Sequence, residues 1–233
     1  MLADSDAEWL AIVHPGLIPN ADGTQVEGTI DFTGSYDVQT DQFTLVVPDD
    51  PIQLVGLVLS ASYSISIKKS VNPVALPKFY VHDGAIRHDA TRHFFRDESA
   101  CVCGVSEEAR FVADGFNFKR YIEEYAIPFL YGQTYYDKHG KWPWPEYAHD
   151  TAGILESYLA NGSIELLSPT LQRLQAMIDW KQVKSILLCR NRPKGHIRCF
   201  CATHDLVRRC HPEAWRGLMK LHADLRQAHL TLS

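Results

Sequence analysis

Residues 54–67 read LVGLVLSASYSISI, and the end of this stretch decides how the chain folds. Tyr63, Ile65 and Ile67 alternate with Ser62, Ser64 and Ser66, the period of two of a strand with one apolar and one wet face. The wider apolar run from Ile52 to Ile67 is broken by Gln53, Gly56 and four serines. It therefore lacks the roughly 18 uninterrupted apolar residues of a membrane helix and reads as buried strand. Upstream, EGTIDFTGSYDV (27–38) and DQFTLVVP (41–48) have the same character, separated by polar or Pro/Asp/Gly breaks. Together they predict an antiparallel meander of three or four strands between Val26 and Val81.

Beyond the strands the period changes. Phe118, Ile122, Tyr125 and Phe129 recur at helical spacing, with Pro128 marking a kink or an end. Asp150 to Ala160 reads as a helix, with Asp150 as N-cap and Asn161-Gly162 as a left-handed stop. Ser168-Pro169 opens another, carrying Leu171, Leu174 and Ile178 on one face and ending near Trp180. SILLC (185–189) reads as a short apolar strand, and a last helix places Trp215, Leu218, His222 and Leu225 together. The WPWPEY segment (142–147) reads as packing for these helices. Strands followed by helices make an α+β chain.

The 233 residues suit one ordinary domain with a small appendage, or a single large domain. Hydrophobic residues at 45% and charged residues at 22% exclude disorder and fibrous repeats. The net charge of −5 conceals a split: residues 1–180 hold 12 Lys/Arg against 25 Asp/Glu, and residues 181–233 hold 11 against 3. The basic segment calls for an acidic counterpart, which is nucleic acid, a partner protein or the acidic body of the same chain. The acidic N-terminus, MLADSDAEWL, lacks the basic and apolar regions of a secretory signal, so a cytoplasmic protein with no membrane attachment is expected.

Six cysteines in such a protein suggest thiolates for metal or catalysis rather than a disulfide framework. They fall in two groups. HDGAIRHDATRHFFRDESACVCG (82–104) has no useful periodicity and reads as a long functional loop, with Arg92, His93 and Arg96 shortly before Cys101. Nearby cations favour the thiolate, the nucleophilic form, although Asp97 and Glu98 act the other way. The alternative is a buried free cysteine. Cys103, two residues on, would leave an extended strand on the same face as Cys101 and is a candidate resolving thiol.

The second group is CFCATHDLVRRCH (199–211). Cys199, Cys201, Cys210 and His211 are four soft or borderline ligands in a 13-residue window, able to enclose a tetrahedral zinc ion. Four protein ligands would close the shell and make the metal structural; metal-free packing of the same residues is the alternative. Cys189, at the end of its apolar run, reads as a core thiol, and His204 is a spare ligand. Arg190, Arg192, Lys194, Arg198, Arg208 and Arg209 form a basic surround with only Phe200 as an interleaved aromatic, so stacking on single-stranded nucleic acid is not expected.

The order of elements resembles that of ubiquitin-conjugating enzymes: an antiparallel meander, a proline-containing extended segment (NPVALP, 72–77), a histidine, a polar loop, a cysteine followed by an aliphatic residue, and then helices. It is most similar to the prokaryotic branch found in short CBASS antiphage operons beside a cGAS-like nucleotidyltransferase. There the matching positions are His93, Asp97-Glu98 and Cys101-Val102, with AHDTAGILESY (148–158) as the downstream helix. The Cys-x-Cys-x8-Cys-His spacing likewise resembles the SEC-C zinc motif, whose central Gly-Ser-Gly is Ala202-Thr203-His204 here.

The resemblance implies a four-stranded antiparallel sheet with flanking helices in a catalytic domain over 1–165, and a helical zinc-type extension over 166–233. It implies acyl transfer through a thioester on Cys101, with the C-terminal tail of the nucleotidyltransferase as donor and target proteins as acceptors. No His-Pro-Asn triplet precedes Cys101, so the oxyanion has no assigned asparagine; His93 is the substitute, with Asn161 or backbone N–H groups. No glycine-rich phosphate loop is present, so activation of the donor would occur elsewhere. Two other readings stay open: a non-catalytic adaptor binding protein or nucleic acid through the basic segment, and a thiol peptidase pairing Cys101 with a histidine such as His149.

Overall fold

The computed structural model describes residues 2–46, 54–72, 75–84, 86–191, 193, 195–201, 203, 205–230 and 232. Within these the chain divides into two compact units, one of residues 1–102 and 115–146, the other of residues 103–114 and 147–233. This division differs from a cut at 165/166, because residues 103–114 and 147–165 join the C-terminal helices.

The first unit is α+β. Helix α1 (Asp4–Val13) precedes a five-stranded antiparallel sheet of β1 (Leu17–Pro19), β2 (Gln25–Asp37), β3 (Gln42–Leu45), β4 (Leu57–Lys68) and β5 (Lys78–Val81). The path runs β1-β2-β4-β5, with β3 also paired to β2. The short β1, ended by Pro19, is the strand that the alternating pattern does not announce. The long β2–β4 register sets Ile30 opposite Tyr63 and Val26 opposite Ile67, all buried, with Asp31 opposite Ser62 and Thr29 opposite Ser64 on the wet face. One face is thus core and the other polar, as the serine alternation requires. Among the serines of β4 Ser66 alone is buried, its hydroxyl 3.0 Å from His82 Nε2. Strand β4 begins at Leu57; Ile52 and Gln53, Pro73 and Val74 of NPVALP, and Arg192, Lys194, Ala202 and His204 lie outside the described residues.

In the second unit, α2 spans Val105–Ala113. The chain returns to the first unit for α3 (Phe118–Tyr121), a π-helical turn (Ile122–Ala126) and α4 (Ile127–His139). Pro128 explains the π turn: it has no N–H for the Glu124 carbonyl, and its ring would strike that carbonyl in a regular helix. The ladder widens instead, and the Ile127 amide bonds to the Ile122 carbonyl. This run packs on the core face of the sheet, with Tyr131 Oη donating to the Leu57 carbonyl at 2.7 Å and Tyr63 Oη 2.9 Å from Thr134 Oγ1. Trp142 and Trp144 close over Gly132, where a Cβ would lie 3.0 Å and 3.2 Å from the two indoles, so the tryptophans of WPWPEY pack on α4.

The second unit continues with α5 (Asp150–Asn161), α6 (Leu167–Gln175), α7 (Trp180–Leu187), α8 (Val207–Cys210) and α9 (Pro212–Gln227). Its core joins Leu155 and Tyr158 of α5, Leu171 and Leu174 of α6, Val183 and Ile186 of α7, and Leu218, Leu221 and Leu225 of α9. Several sequence expectations change here. Ser185–Leu187 of SILLC end helix α7, because Val183, Ile186 and Leu187 repeat at three and four residues and are buried, while Leu188 and Cys189 beyond it are exposed. Cys189 is therefore no core thiol; its Sγ donates to the Ser185 carbonyl at 3.3 Å. The helix after Ser168 ends at Gln175, which leaves Ile178 97% exposed. His149, not Asp150, is the N-cap of α5, and Gly162 is extended rather than left-handed. Among the described residues no helix is long and apolar enough to cross a membrane.

Candidate functional site

Residues 88–101 form a compact hairpin rather than a structureless loop. A 3-10 turn, Ala90–Arg92, is capped by Asp89, whose carboxylate accepts from the Thr91 amide at 3.0 Å. His93 ends it in the left-handed conformation, φ 58°. The chain then doubles back through Arg96–Ser99, pairing Phe94 with Ala100. The Ala100 amide donates to the Phe79 carbonyl of β5, and the Cys101 amide to the His93 carbonyl, both at 2.7 Å. The half-buried Cys101 is thus fixed by backbone bonds at the edge of the sheet, opposite His93. The hairpin tip is held by an ion pair between Lys78 and Asp97, whose carboxyl is drawn down to about 2 by Lys78 and by the Ser99 hydroxyl.

The His93 ring has its own seat. Nε2 lies 2.7 Å from Glu146 Oε1, and the ring meets Trp142 edge-on at 4.8 Å. Neither Glu146 nor Trp142 was indicated by the sequence, since 53 residues separate the histidine from its carboxylate. Beneath lies a buried frame: Arg92 Nε donates to Gln133 Oε1 at 2.8 Å, and Arg92 Nη2 pairs with Asp137 at 2.7 Å. Cys103, half-buried, opens the second unit one residue before the N-cap Gly104 of α2. In that unit the Asn161 amide donates to Glu107 Oε1 at 2.9 Å, a carboxylate that also accepts from Tyr147 Oη and, through Oε2, from the Gly104 amide. His149 is exposed at the start of α5.

The C-terminal cluster is more local. Arg198 and Leu206 form an antiparallel bridge, flanked by Cys199 N–H to Asp205 carbonyl (2.7 Å) and Val207 N–H to Ile197 carbonyl (2.9 Å). This hairpin turns Cys199 and Cys201 towards the end of α8. Pro212 at the start of α9 keeps His211 out of the helical region (φ −134°, ψ 74°), breaking the helix so that Cys210 and His211 face the hairpin. The ligand atoms of Cys199, Cys201, Cys210 and His211 all lie within 4.8 Å of one another. Cys199 Sγ is 3.1 Å from His211 Nδ1, and Cys201 Sγ is 3.3 Å from Cys210 Sγ. Bonds of about 2.0–2.3 Å to a tetrahedral ion put ligands about 3.3–3.8 Å apart, so the set encloses a metal with little adjustment. Burial pushes the Cys199 thiol up to about 12, whereas the Thr203 hydroxyl, 2.9 Å from Cys201 Sγ, draws that thiol down to about 6. Three thiols this close cannot all ionise without a cation to compensate them. Thr203, also 3.1 Å from Cys210 Sγ, is a member that spacing alone did not mark. Phe200 and Ile197 pack against the core of the unit, so the hairpin has an apolar anchor of its own.

A third feature lies on the first unit. A cleft of ≈ 580 Å³ interrupts the β2 edge between β1 and β3, lined by His14, Asp31, Thr33 and Ser60. His14 is buried with neither ring nitrogen hydrogen-bonded among the described residues. Burial lowers its pKa to about 4, with Asp31 opposing.

Comparison with protein-family models, with curated proteins and with solved structures finds no match to this chain.

Proposed function

We propose that the chain is a ubiquitin-conjugating-like acyl transferase with Cys101 as nucleophile and a structural zinc ion held by Cys199, Cys201, Cys210 and His211. The observation that carries the reading is the seat of Cys101: a half-buried thiol fixed beside an antiparallel sheet, its amide on the His93 carbonyl and the His93 ring held by Glu146. The Cys101 thiolate attacks the activated carbonyl at the C-terminus of a donor protein, expelling the activating group and forming a thioester. An acceptor amine then attacks that carbonyl, and the thiolate leaves as the amide forms. In this reading His93, whose carbonyl holds the Cys101 amide, serves proton transfer or oxyanion support. By the resemblance, the donor is the tail of a cGAS-like nucleotidyltransferase and the acceptors are target proteins in antiphage defence, in the cytoplasm. Zinc suits the cluster because three thiolates and an imidazole match its ligand preference and leave no open position for substrate.

The test is intact mass under non-reducing conditions after co-expression with the nucleotidyltransferase, for the wild type and Cys101→Ala. A donor adduct that needs Cys101 and is released by hydroxylamine supports transfer; release by reductant alone indicates a disulfide instead. One observation favours a second reading, a non-catalytic adaptor that grips an acidic partner. Arg198, Arg208 and Arg209 are exposed around the cluster and form no ion pair among the described residues. Absence of any Cys101-dependent adduct would favour it.

A further inference from the structure

The three thiols of the C-terminal cluster are not equivalent. Cys199 is buried at 7% exposure and leans on His211, whereas Cys201 and Cys210 are half-buried and touch each other at 3.3 Å between sulfurs. The backbone that brings these two together is the Arg198–Leu206 bridge and the short helix α8 that follows it. The exposed Thr203 hydroxyl reaches both sulfurs, at 2.9 and 3.1 Å.

We infer that Cys201 and Cys210 are an oxidative modification site, a dithiol that hydroperoxides convert to a disulfide with release of the metal. The inference rests on the metal reading above. In the first step the Cys201 sulfur attacks the terminal oxygen of the hydroperoxide. An S–O bond forms, the O–O bond breaks, the peroxide is reduced by two electrons and leaves as an alcohol or water, and the sulfur becomes a sulfenic acid. The Cys210 thiolate then attacks that sulfur, the S–S bond forms, and hydroxide leaves and is protonated to water. Two thiols and one hydroperoxide give one disulfide, one alcohol or water, and one further water. The disulfide removes two of four ligands, and Cys199 with His211 cannot hold the ion alone. Cys199 is spared because its sulfur is buried beside His211, away from solvent oxidant.

The experiment uses the full-length chain with Cys189→Ser, which removes an exposed thiol outside the cluster. The reduced, zinc-loaded protein is titrated with hydrogen peroxide, with released zinc followed by a chromogenic chelator and disulfides located by peptide mass mapping. The expected result is release of about one zinc per chain in step with a Cys201–Cys210 disulfide, both reversed by thiol reductant and added zinc. Zinc retained with all thiols intact, or zinc lost with a different pair linked or with cysteines over-oxidised, would overturn the inference. A chain that binds no zinc before oxidation but still links Cys201 to Cys210 would refute the metal reading and leave the dithiol standing.

Discussion

Around Cys101 the fixing groups are partly remote: beside the nearby carbonyl of His93 stand the β5 carbonyl of Phe79, which holds Ala100, and Glu146, which holds the His93 ring from 53 residues away. Around Cys199, Cys201, Cys210 and His211, every ligand lies within one 13-residue window closed by a single hairpin and the start of a helix. The first thiol is placed by a formed hydrophobic core, and its geometry exists only once the sheet and α4 have packed. The second group is brought together by local backbone bonds, and its thiols can all ionise only beside a cation. On the proposed reading, the contrast teaches that a nucleophile to be presented is built on the scaffold, whereas a ligand set to be closed can be built in sequence.

That contrast can be broken at several points. The largest effect is expected on removing the metal. Chelation should cost the second unit several kcal/mol, since local ligand sets derive much of their folding free energy from the ion. Hydrogen exchange mapped by mass spectrometry should then show peptides of α8 and α9 losing protection while those of β2 and β4 keep theirs. Equal loss in both would contradict the division.

Next comes a pair of glycines, one in each unit. A Cβ at Gly217 of α9 would lie 1.9 Å from the Leu155 carbonyl oxygen, backbone that cannot turn away. Gly217→Ala should cost about 3 kcal/mol through separation of α5 and α9. At Gly132 the obstacle is the Trp142 and Trp144 side chains at 3.0 and 3.2 Å, which can shift, so Gly132→Ala should cost about 1 kcal/mol. Denaturant unfolding of both variants checks the order.

A smaller and pH-dependent effect belongs to the first unit. Burial lowers the His14 pKa from 6.5 to about 4, so the unfolded chain binds this proton more tightly. Stability from His14 is complete above pH 6.5 and drains away as pH falls towards 4, by at most about 3 kcal/mol and by less where Asp31 compensates. His14→Phe should flatten the stability of β2 peptides across that window; an unchanged slope would show that another group carries it.

The parts legible in the sequence are those with short-range causes. Serine alternation in β4 announces both its strand and its polar face, and the Cys-x-Cys-x8-Cys-His spacing announces a cluster that the fold does assemble. SILLC deceived because a run of four apolar residues suits strand or helix, and only Val183 upstream and the exposure of Leu188 decide between them. The π turn follows from Pro128, but its position depends on how α4 must meet the sheet. Glu146 and Trp142 could not be read beside His93, because nothing local marks a partner from the far side of α4. Thr203 could have been suspected as a hydroxyl two residues after Cys201, inside the same turn.

The measurement that most directly tests the account, one presented thiol and one closed ligand set, is alkylation of the native, zinc-loaded chain mapped cysteine by cysteine, before and after chelation. The account predicts prompt labelling of Cys101, with Cys199, Cys201 and Cys210 protected until the chelator is added. Labelling of the cluster at the same rate with and without chelator, or a Cys101 that stays unlabelled until the protein unfolds, would contradict it.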